Sequence, residues 1–286
     1  MGRKTIIDQF SYRGEAGEIW RGFDAFLDTE AYLNLGYSEE RQSHAIGKPQ
    51  YRLVAQVADA LRELGVVPDD RLLDVGCGRG GPITVLVDQL GVEGIGVDIV
   101  PFNLKLARKH SAKASHPSYV LASATELPFG PDSMESFAAI DSLVYIDRID
   151  QVFSELARVL KPGGIGVITD LTVADEADPM ADELVEFANA WGFPALRRVG
   201  RLEATIDQSN FECTSQTDLT NNSIGQFRRW TTRYRRLRQS PTGFILNAFA
   251  NRLDLRLEAI DRQVETAHAV LPSLRHTMLC IERQDI

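Results

Sequence analysis

The sequence predicts an α/β fold built on a doubly wound, mostly parallel sheet of seven strands. Short apolar segments alternate with amphipathic helical segments throughout residues 50–170. This alternation gives parallel strands, with the connecting helices on both faces of the sheet. Within it, at residues 72–81, a buried strand runs into a glycine cluster and Pro82 begins a helix. The segments with strand character are 71–75, 94–98, 119–122, 136–140, 165–170, 211–219 and 276–282.

Apolar residues that recur at helical spacing predict the helices. Residues 1–13 are expected to form a loose arm, and Met180 is expected on the apolar stripe of a helix. The two helices before the last strand are longer than a simple connection between two strands requires, so we expect them to form a cap over the site. The predicted helices are 18–33, 51–64, 83–90, 104–114, 152–160, 178–191, 202–208, 223–237 and 243–267.

These elements divide the chain into four segments. The 286 residues, 44% of them hydrophobic, suffice for one large core and a lid. Residues 1–66 are predicted as an N-terminal helical segment that covers the site, and residues 67–220 as the core. Residues 221–270 are predicted as a helical cap inserted before the last core strand, which lies within residues 271–286.

The composition argues against several classes of function. The formal net charge is −9, whereas non-specific nucleic-acid binding requires a basic surface. Cys77, Cys213 and Cys280 form no Cys-x-x-Cys pair, which indicates a reducing compartment and no zinc site. No apolar run is long enough to span a membrane, and the N-terminus lacks a signal-peptide core. We therefore expect a cytoplasmic protein without a metal.

The glycine cluster is typical of a loop that approaches a ligand closely. Glycine readily adopts positive φ, and the helix start that follows offers bare N–H groups to a polar ligand. Asp98 ends the next strand 20 residues after Gly78, where an acid can accept hydrogen bonds from both ribose hydroxyls. Asp74 requires a partner if it is buried, either loop N–H groups or a ligand ammonium. The spacing of the glycines alone does not exclude a dehydrogenase, because Gly76, Gly78 and Gly81 match the Gly-x-Gly-x-x-Gly motif of dinucleotide-binding sites.

Five segments in order resemble the motifs of class I S-adenosylmethionine-dependent methyltransferases. The whole chain is similar to the small-molecule branch, which includes quinone and tocopherol C-methyltransferases, glycine-betaine-forming N-methyltransferases and natural-product sugar O-methyltransferases. The resemblance implies a Rossmann-like sheet with an antiparallel last strand. It also implies S-adenosyl-L-methionine as cofactor and S-adenosyl-L-homocysteine as its product. The segments are 72–81, 94–98, 121–129, 139–146 and 160–164.

The resemblance also implies roles for single residues. Cys77 is interpreted as a small space-filler in the loop rather than a nucleophile. Ser123 stands where the family often has an acid, so its contact with the adenine amino group should be weaker. The implied cofactor residues are Asp74, Gly76 and Gly78 at the methionine part, Cys77 in the same loop, Asp98 at the ribose, Ile99, Ser123 and Ala124 at the adenine, Ile140 at the methionine ammonium, and Tyr37 closing over the methionine end.

Methyl transfer requires a nucleophile held in line with the C–S bond, and a base only if the acceptor must lose a proton. The base candidates are Tyr37, His44, Asp141 and Tyr145, with His44 interpreted as a surface residue. We hypothesise that Tyr145 and Asp141 line the acceptor pocket, although many relatives have His at the position of Tyr145. The sequence predicts methyl transfer to an O, N or C atom of a small molecule. A non-catalytic cofactor-binding protein and an RNA methyltransferase are the alternatives.

Residues 228–238 contain a run of arginines interleaved with aromatic residues. The favoured interpretation is a solvated helix face. Such a run can also bind single-stranded nucleic acid, or a phosphorylated or carboxylated acceptor. The aromatic stripe is expected to face the pocket or the core, and it consists of Phe227, Trp230 and Tyr234.

Overall fold

A computed structural model describes residues 3–27, 31–39, 48–111, 117–194 and 196–284. Its strands are β1 (Arg71–Val75), β2 (Glu93–Asp98), β3 (Ser118–Leu121), β4 (Met134–Ile140), β5 (Leu160–Val173), β6 (Phe211–Asp218) and β7 (Leu274–Arg283). They form one sheet in the order β3-β2-β1-β4-β5-β7-β6. Strands β1 to β5 are parallel, and β7 is antiparallel to both of its neighbours. The predicted seven-stranded sheet with an antiparallel last strand is confirmed.

Helices flank this sheet, and no helix of the described residues is long and apolar enough to cross a membrane. Short 3-10 turns occur at Glu15–Gly17, Leu143–Tyr145 and Leu271–Ser273. The α-helices are α1 (Arg3–Phe10), α2 (Glu18–Leu27), α3 (Lys48–Glu63), α4 (Gly81–Leu90), α5 (Pro101–Ser111), α6 (Ile149–Val159), α7 (Asp182–Trp191), α8 (Val199–Asp207), α9 (Thr220–Gln239), α10 (Gly243–Arg252) and α11 (Leu257–Val270).

The two faces of the sheet carry separate apolar clusters, because side chains alternate along each strand. On one face, Leu73 packs in a cluster with Phe153 of α6. On the other face, Leu72 packs in a cluster with Leu53 of α3 and with α4. Full burial of a side chain of this size stabilises the fold by about 1.5–3 kcal/mol. A third cluster contains residues of α1, α2, α7, α9 and α11.

The N-terminal residues form a helix, so the predicted loose arm at residues 1–13 is wrong. Phe10 of α1 is buried, and its ring lies 5.2 Å from the ring of Trp20. The Gln9 side chain donates a hydrogen bond to the Trp191 carbonyl at 2.7 Å. Isolated helices of this length are marginal in water, so tertiary packing stabilises α1.

The long helix predicted at residues 243–267 is also wrong, because the chain divides it into α10 and α11. Asp254 lies between them with a left-handed φ of 53°. The Glu18 carboxylate then accepts a hydrogen bond from the Arg256 N–H at 3.0 Å, just before α11 begins. A distant acid in α2 therefore helps to fix the start of α11.

Three smaller differences concern element ends. Met180 precedes α7 and is 74% exposed, so it does not belong to a buried stripe. The predicted helix at 18–33 is shorter, because residues 31–33 are not helical. Residues 160–164, predicted as a turn, form the irregular start of β5, with a register shift where β4 pairs with it.

Candidate functional site

A cavity of about 380 Å³ lies where β1, β2 and β4 end. The strand order reverses between β1 and β4, and doubly wound sheets bind ligands at such a switch point. The volume is within the usual range for small-molecule sites. The predicted site residues that line this cavity are Gly76, Cys77, Gly78, Asp98, Ile99, Ser123, Ala124, Ile140, Asp141 and Tyr145.

The glycine loop has a backbone that only glycine adopts without strain. Its left-handed φ angles are 75° at Gly76, 53° at Gly78 and 82° at Gly80. A Cβ added at Gly76 would lie 2.6 Å from the Cβ of Ser142, so the loop leaves no room for a side chain there. The N–H groups of Gly76 and Cys77 donate to the Val97 carbonyl at 2.8 and 3.0 Å. These bonds fix the loop against β2.

Asp98 lies against the glycine loop at the end of β2. Its Oδ2 accepts a hydrogen bond from the Gly78 N–H at 2.9 Å, and its Oδ1 accepts one from the Val100 N–H at 2.7 Å. Burial raises the pKa of this carboxyl to about 6, and the hydrogen bonds from the backbone oppose that shift. Asp98 therefore presents an ionised carboxylate to the cavity at neutral pH, which suits a ligand with hydroxyl donors.

Asp74 lies in β1 beneath the loop and is 1% exposed. Its Oδ2 has no hydrogen-bond partner among the described residues. Burial, together with the nearby carboxylate of Asp98, raises its pKa to about 8. Asp74 does not border the cavity, and the charge of a cofactor ammonium bound beside the loop would favour the ionised form of its carboxyl.

Two side chains that border the cavity, Ser123 and Cys77, are uncharged. Ser123 forms a hydrogen bond with the Thr125 hydroxyl at 2.7 Å, so its side chain also holds the turn after β3. Cys77 is 2% exposed, and burial raises the pKa of its thiol well above the ordinary value. A protonated, enclosed thiol is consistent with the space-filling interpretation.

Asp141 follows β4 with a left-handed φ of 53°. Its Oδ1 accepts hydrogen bonds from the Thr169 hydroxyl at 2.9 Å and from Nε2 of His276 at 2.7 Å. Its Oδ2 accepts one from the Leu35 N–H at 2.8 Å. Both oxygens are therefore engaged in holding neighbouring elements together, which argues against a role as general base.

His276 and Ser223 are residues that the sequence reasoning missed. Both are fully buried, and the Ser223 hydroxyl lies 2.7 Å from Nδ1 of His276. They join α9 to β7 and, through Asp141, to the end of β4. A histidine at the start of the predicted last strand was the available signal, but only the sheet order shows its partners.

Tyr145 packs against aromatic rings rather than donating to a polar partner among the described residues. Its ring centroid lies 5.0 Å from those of Phe10 and Phe193. Burial and the carboxylates of Asp141 and Asp170 raise the pKa of its phenol far above the ordinary value. A phenolate base at this position is therefore disfavoured at neutral pH.

Two residues predicted to contact the cofactor, Asp74 and Tyr37, do not border the cavity. The N–H of Tyr37 donates to the Pro49 carbonyl at 2.8 Å, and its side chain packs against the cluster on the α3 side of the sheet. Its contact with a cofactor stays a prediction. His44 lies outside the described residues.

An apolar space adjoins the cofactor cavity, and we call it the aromatic chamber. It consists of an inner cavity of about 60 Å³ and an outer one of about 180 Å³. Asp141 and Tyr145 border both the inner cavity and the cofactor cavity, so the two spaces are neighbours. The residues that border both parts of the chamber are Trp20, Leu33, Leu35, Trp191 and Phe227.

Comparisons with known proteins show which family the chain resembles. Residues 73–168 match the sequence family described as a methyltransferase domain. The methyltransferase GfsG of Streptomyces halstedii is 29% identical over 76% of this chain and 78% of its own length. The O-methyltransferase cnsE of Penicillium expansum is 30% identical over 73% of this chain and 76% of its own.

A solved structure has the same architecture. The cyclopropane synthase MmaA2 of Mycobacterium tuberculosis superposes with a TM-score of 0.76, over 97% of both chains, at 16% identity. At this identity the likeness shows the fold alone, whereas the sequence matches establish descent. They give no support to a dehydrogenase or to a non-catalytic binding protein. We conclude that the chain belongs to the class I S-adenosylmethionine-dependent methyltransferases, in the branch that acts on small molecules.

Proposed function

We propose that this enzyme holds S-adenosylmethionine in the cavity at the β1–β4 switch point and methylates an acceptor held in the aromatic chamber. The observation that carries the proposal is the Asp98 carboxylate, which lies against the Gly78 N–H and borders the cavity. When bound, the cofactor supplies an electrophilic methyl group. The chain's own residues supply binding, orientation and the exclusion of water.

The roles of single residues follow from where each lies. We assign Asp98 to the ribose hydroxyls, and Ile99, Ser123 and Ala124 to the adenine, because all four border the cavity. We assign the loop at Gly76 and the backbone after Ile140 to the methionine part. We assign to Asp74, which does not border the cavity, a role at longer range, in which its carboxylate compensates the positive charge of the methionine ammonium.

We assign Asp141 and Tyr145 to the wall between the cofactor and the acceptor, not to proton transfer. Asp141 is the only carboxylate among the described residues that border the chamber, and both of its oxygens are engaged. The raised pKa of Tyr145 keeps its phenol protonated. The acceptor atom is then a nucleophile that loses no proton to these groups, and proximity provides the acceleration.

The compartment and the partners are proposed on compositional grounds. We propose that the enzyme acts in the cytoplasm, because its three cysteines are all free thiols in the structure. We propose a small molecule rather than RNA as its partner, because the net charge of −9 opposes non-specific binding to nucleic acid.

Calorimetric titration with S-adenosylmethionine and S-adenosylhomocysteine tests the cofactor site. Asp98→Ala should weaken both affinities by at least about tenfold, because it removes a charged acceptor of the ribose hydroxyls. Asp88→Ala removes the same charge from an exposed position on α4 and should leave both affinities unchanged.

Tyr145→Phe should keep turnover within about twofold, since it removes only a hydroxyl that stays protonated.

Thermal unfolding of each variant reports whether it is folded, and Asp98→Asn replaces Asp98→Ala if that variant is not. Wild-type protein that binds NAD and neither methionine-derived ligand would overturn the proposal. Equal affinities in Asp98→Asn and wild type would move the ribose site elsewhere.

A further inference from the structure

The arginine run of α9 divides into side chains with carboxylate partners and side chains without them. Arg235 pairs with Glu265 at 2.7 Å, and Arg238 pairs with Asp261 at 2.6 Å, both on α11. Arg229 and Arg233, one helical turn apart, have no hydrogen-bond or ion-pair partner among the described residues. Both are exposed, and both border the outer part of the aromatic chamber. The interpretation of the run as a solvated helix face therefore does not account for Arg229 and Arg233, which border the chamber.

The space beside these two arginines is strongly aromatic. The rings of Phe227 and Trp230 are stacked with centroids 5.7 Å apart, and Trp191 meets Phe227 edge-on at 5.8 Å. Trp230 and Phe23 also border the outer cavity. Aromatic walls of this kind favour a flat apolar ligand, for which ring contacts add to the burial of apolar area.

The same wall contains buried polar atoms without a hydrogen-bond partner among the described residues, and one of them is Oε1 of Gln226. Asn34 is 7% exposed and Trp20 is 6% exposed, and both border the outer cavity. Neither Oδ1 of Asn34 nor Nε1 of Trp20 forms a hydrogen bond within the described residues. Buried polar groups are nearly always paired in native proteins. This acceptor and this donor, unused in the chamber wall, point to a ligand that carries polar substituents.

We propose that the acceptor is a flat, apolar molecule with an anionic group, a carboxylate or a phosphate, which Arg229 and Arg233 bind at the mouth of the chamber. The inference rests on the proposed function, because it takes the chamber as the acceptor site. The guanidinium fork matches the geometry of both anions, and two such groups one turn apart can bind the same ligand. The aromatic walls enclose the apolar body, and the inner cavity leads its reactive atom to the wall formed by Asp141 and Tyr145.

The test compares two probes with the same ring system, 6-hydroxy-2-naphthoate and its neutral analogue 6-hydroxy-2-naphthamide. Each is titrated calorimetrically into protein saturated with S-adenosylhomocysteine. Wild-type protein should bind the anion at least about tenfold more tightly than the amide, as charge-assisted hydrogen bonds require. The double variant Arg229→Gln/Arg233→Gln should lose this preference and keep its affinity for the amide and for S-adenosylhomocysteine.

The matched control is Arg228→Gln/Arg236→Gln, which removes the same charge from exposed positions on α9 that do not border the chamber. This control should retain the preference for the anion. A preference that persists in the first double variant, or that is lost equally in both, would overturn the proposal. A single-stranded RNA that binds more tightly than the naphthoate and is released by both double variants would also overturn it. Wild-type protein that fails to bind S-adenosylhomocysteine would instead show that the proposed function itself is wrong.

Discussion

Asp74 shows how a single buried side chain links stability, pH and cofactor binding. Its Oδ2 has no partner among the described residues, and its pKa is raised to about 8 by burial and by Asp98. The free protein therefore holds a proton on this acid that a surface aspartate would lose. A cofactor ammonium in the site would lower the pKa of Asp74 and favour its ionised form, because a nearby positive charge stabilises a carboxylate.

Asp74 should make the free energy of unfolding fall as the pH rises. An unfolded aspartate has a pKa of 3.8, whereas the folded value is about 8, so between these values only the folded state keeps the proton. The stabilising contribution is present below about pH 4 and is lost as the pH approaches 8. Urea unfolding of cofactor-free protein at pH 5 and pH 8 measures it.

Between pH 5 and pH 8, the free energy of unfolding of wild type should fall by at least about 1 kcal/mol more than that of Asp74→Asn, because one pKa unit corresponds to about 1.4 kcal/mol. Asp88→Asn alters an exposed carboxylate and should follow wild type at both pH values. A difference between wild type and Asp74→Asn that is the same at pH 5 and pH 8 would contradict the assignment.

The residues of the glycine loop could be predicted because their signals are local. Left-handed turns favour glycine, and Asp98 lies 20 residues after Gly78, at the end of the neighbouring strand. His276 could not be predicted in this way. Its partners Asp141 and Ser223 are 135 and 53 residues away, and only the β5-β7 pairing and the position of α9 bring them together.

At the scale of elements, the hydrogen bonds of His276 connect β7, α9 and the end of β4. Because Oδ1 of Asp141 already accepts from the Thr169 hydroxyl, we assign it as the acceptor from Nε2 of His276 as well. Asp141 also accepts from the Leu35 N–H, so the same network holds the segment that borders both cavities. The network therefore joins the predicted cap to the cofactor edge of the sheet.

Replacing His276 should be costly because it leaves buried partners unsatisfied. We expect His276→Leu to lower the free energy of unfolding by about 2–4 kcal/mol and Ser223→Ala by about 1 kcal/mol. The two losses should not add, because the residues share one hydrogen bond. A double-mutant cycle measured by urea unfolding tests this.

Ser136→Ala is the matched control for this cycle, because Ser136 is also fully buried but its hydroxyl has no partner among the described residues. It should change the free energy of unfolding little and combine additively with His276→Leu. Strict additivity of Ser223→Ala with His276→Leu would mean that the Ser223–His276 hydrogen bond contributes nothing to stability.

At the scale of the whole molecule, the sheet could be predicted and its covering helices only in part. Strand and helix alternate locally over residues 50–170, so periodicity suffices there. The boundary between α10 and α11 depends instead on Glu18, more than 200 residues away. Helix α1 likewise depends on Trp20 and Trp191, whose positions no local pattern gives.

Helix α1 connects the third apolar cluster to the cofactor cavity. Ile6 and Phe10 border that cavity, and Phe10 also touches Trp20 and Tyr145. The segment predicted as a loose arm therefore borders the cavity proposed for the cofactor, where it can affect the retention of a ligand.

Phe10→Ala should accelerate the dissociation of S-adenosylhomocysteine by about tenfold, which corresponds to about 1.4 kcal/mol, because it removes a large apolar side chain from the cavity wall. The release of radiolabelled S-adenosylhomocysteine after the addition of excess unlabelled ligand gives the rate. Phe244→Ala makes the same change at a position of α10 that is 68% exposed, and it should leave the rate unchanged. Equal dissociation rates for Phe10→Ala and wild type would mean that α1 is only a structural part of the third cluster, and that the cofactor is retained by the glycine loop and Asp98 alone.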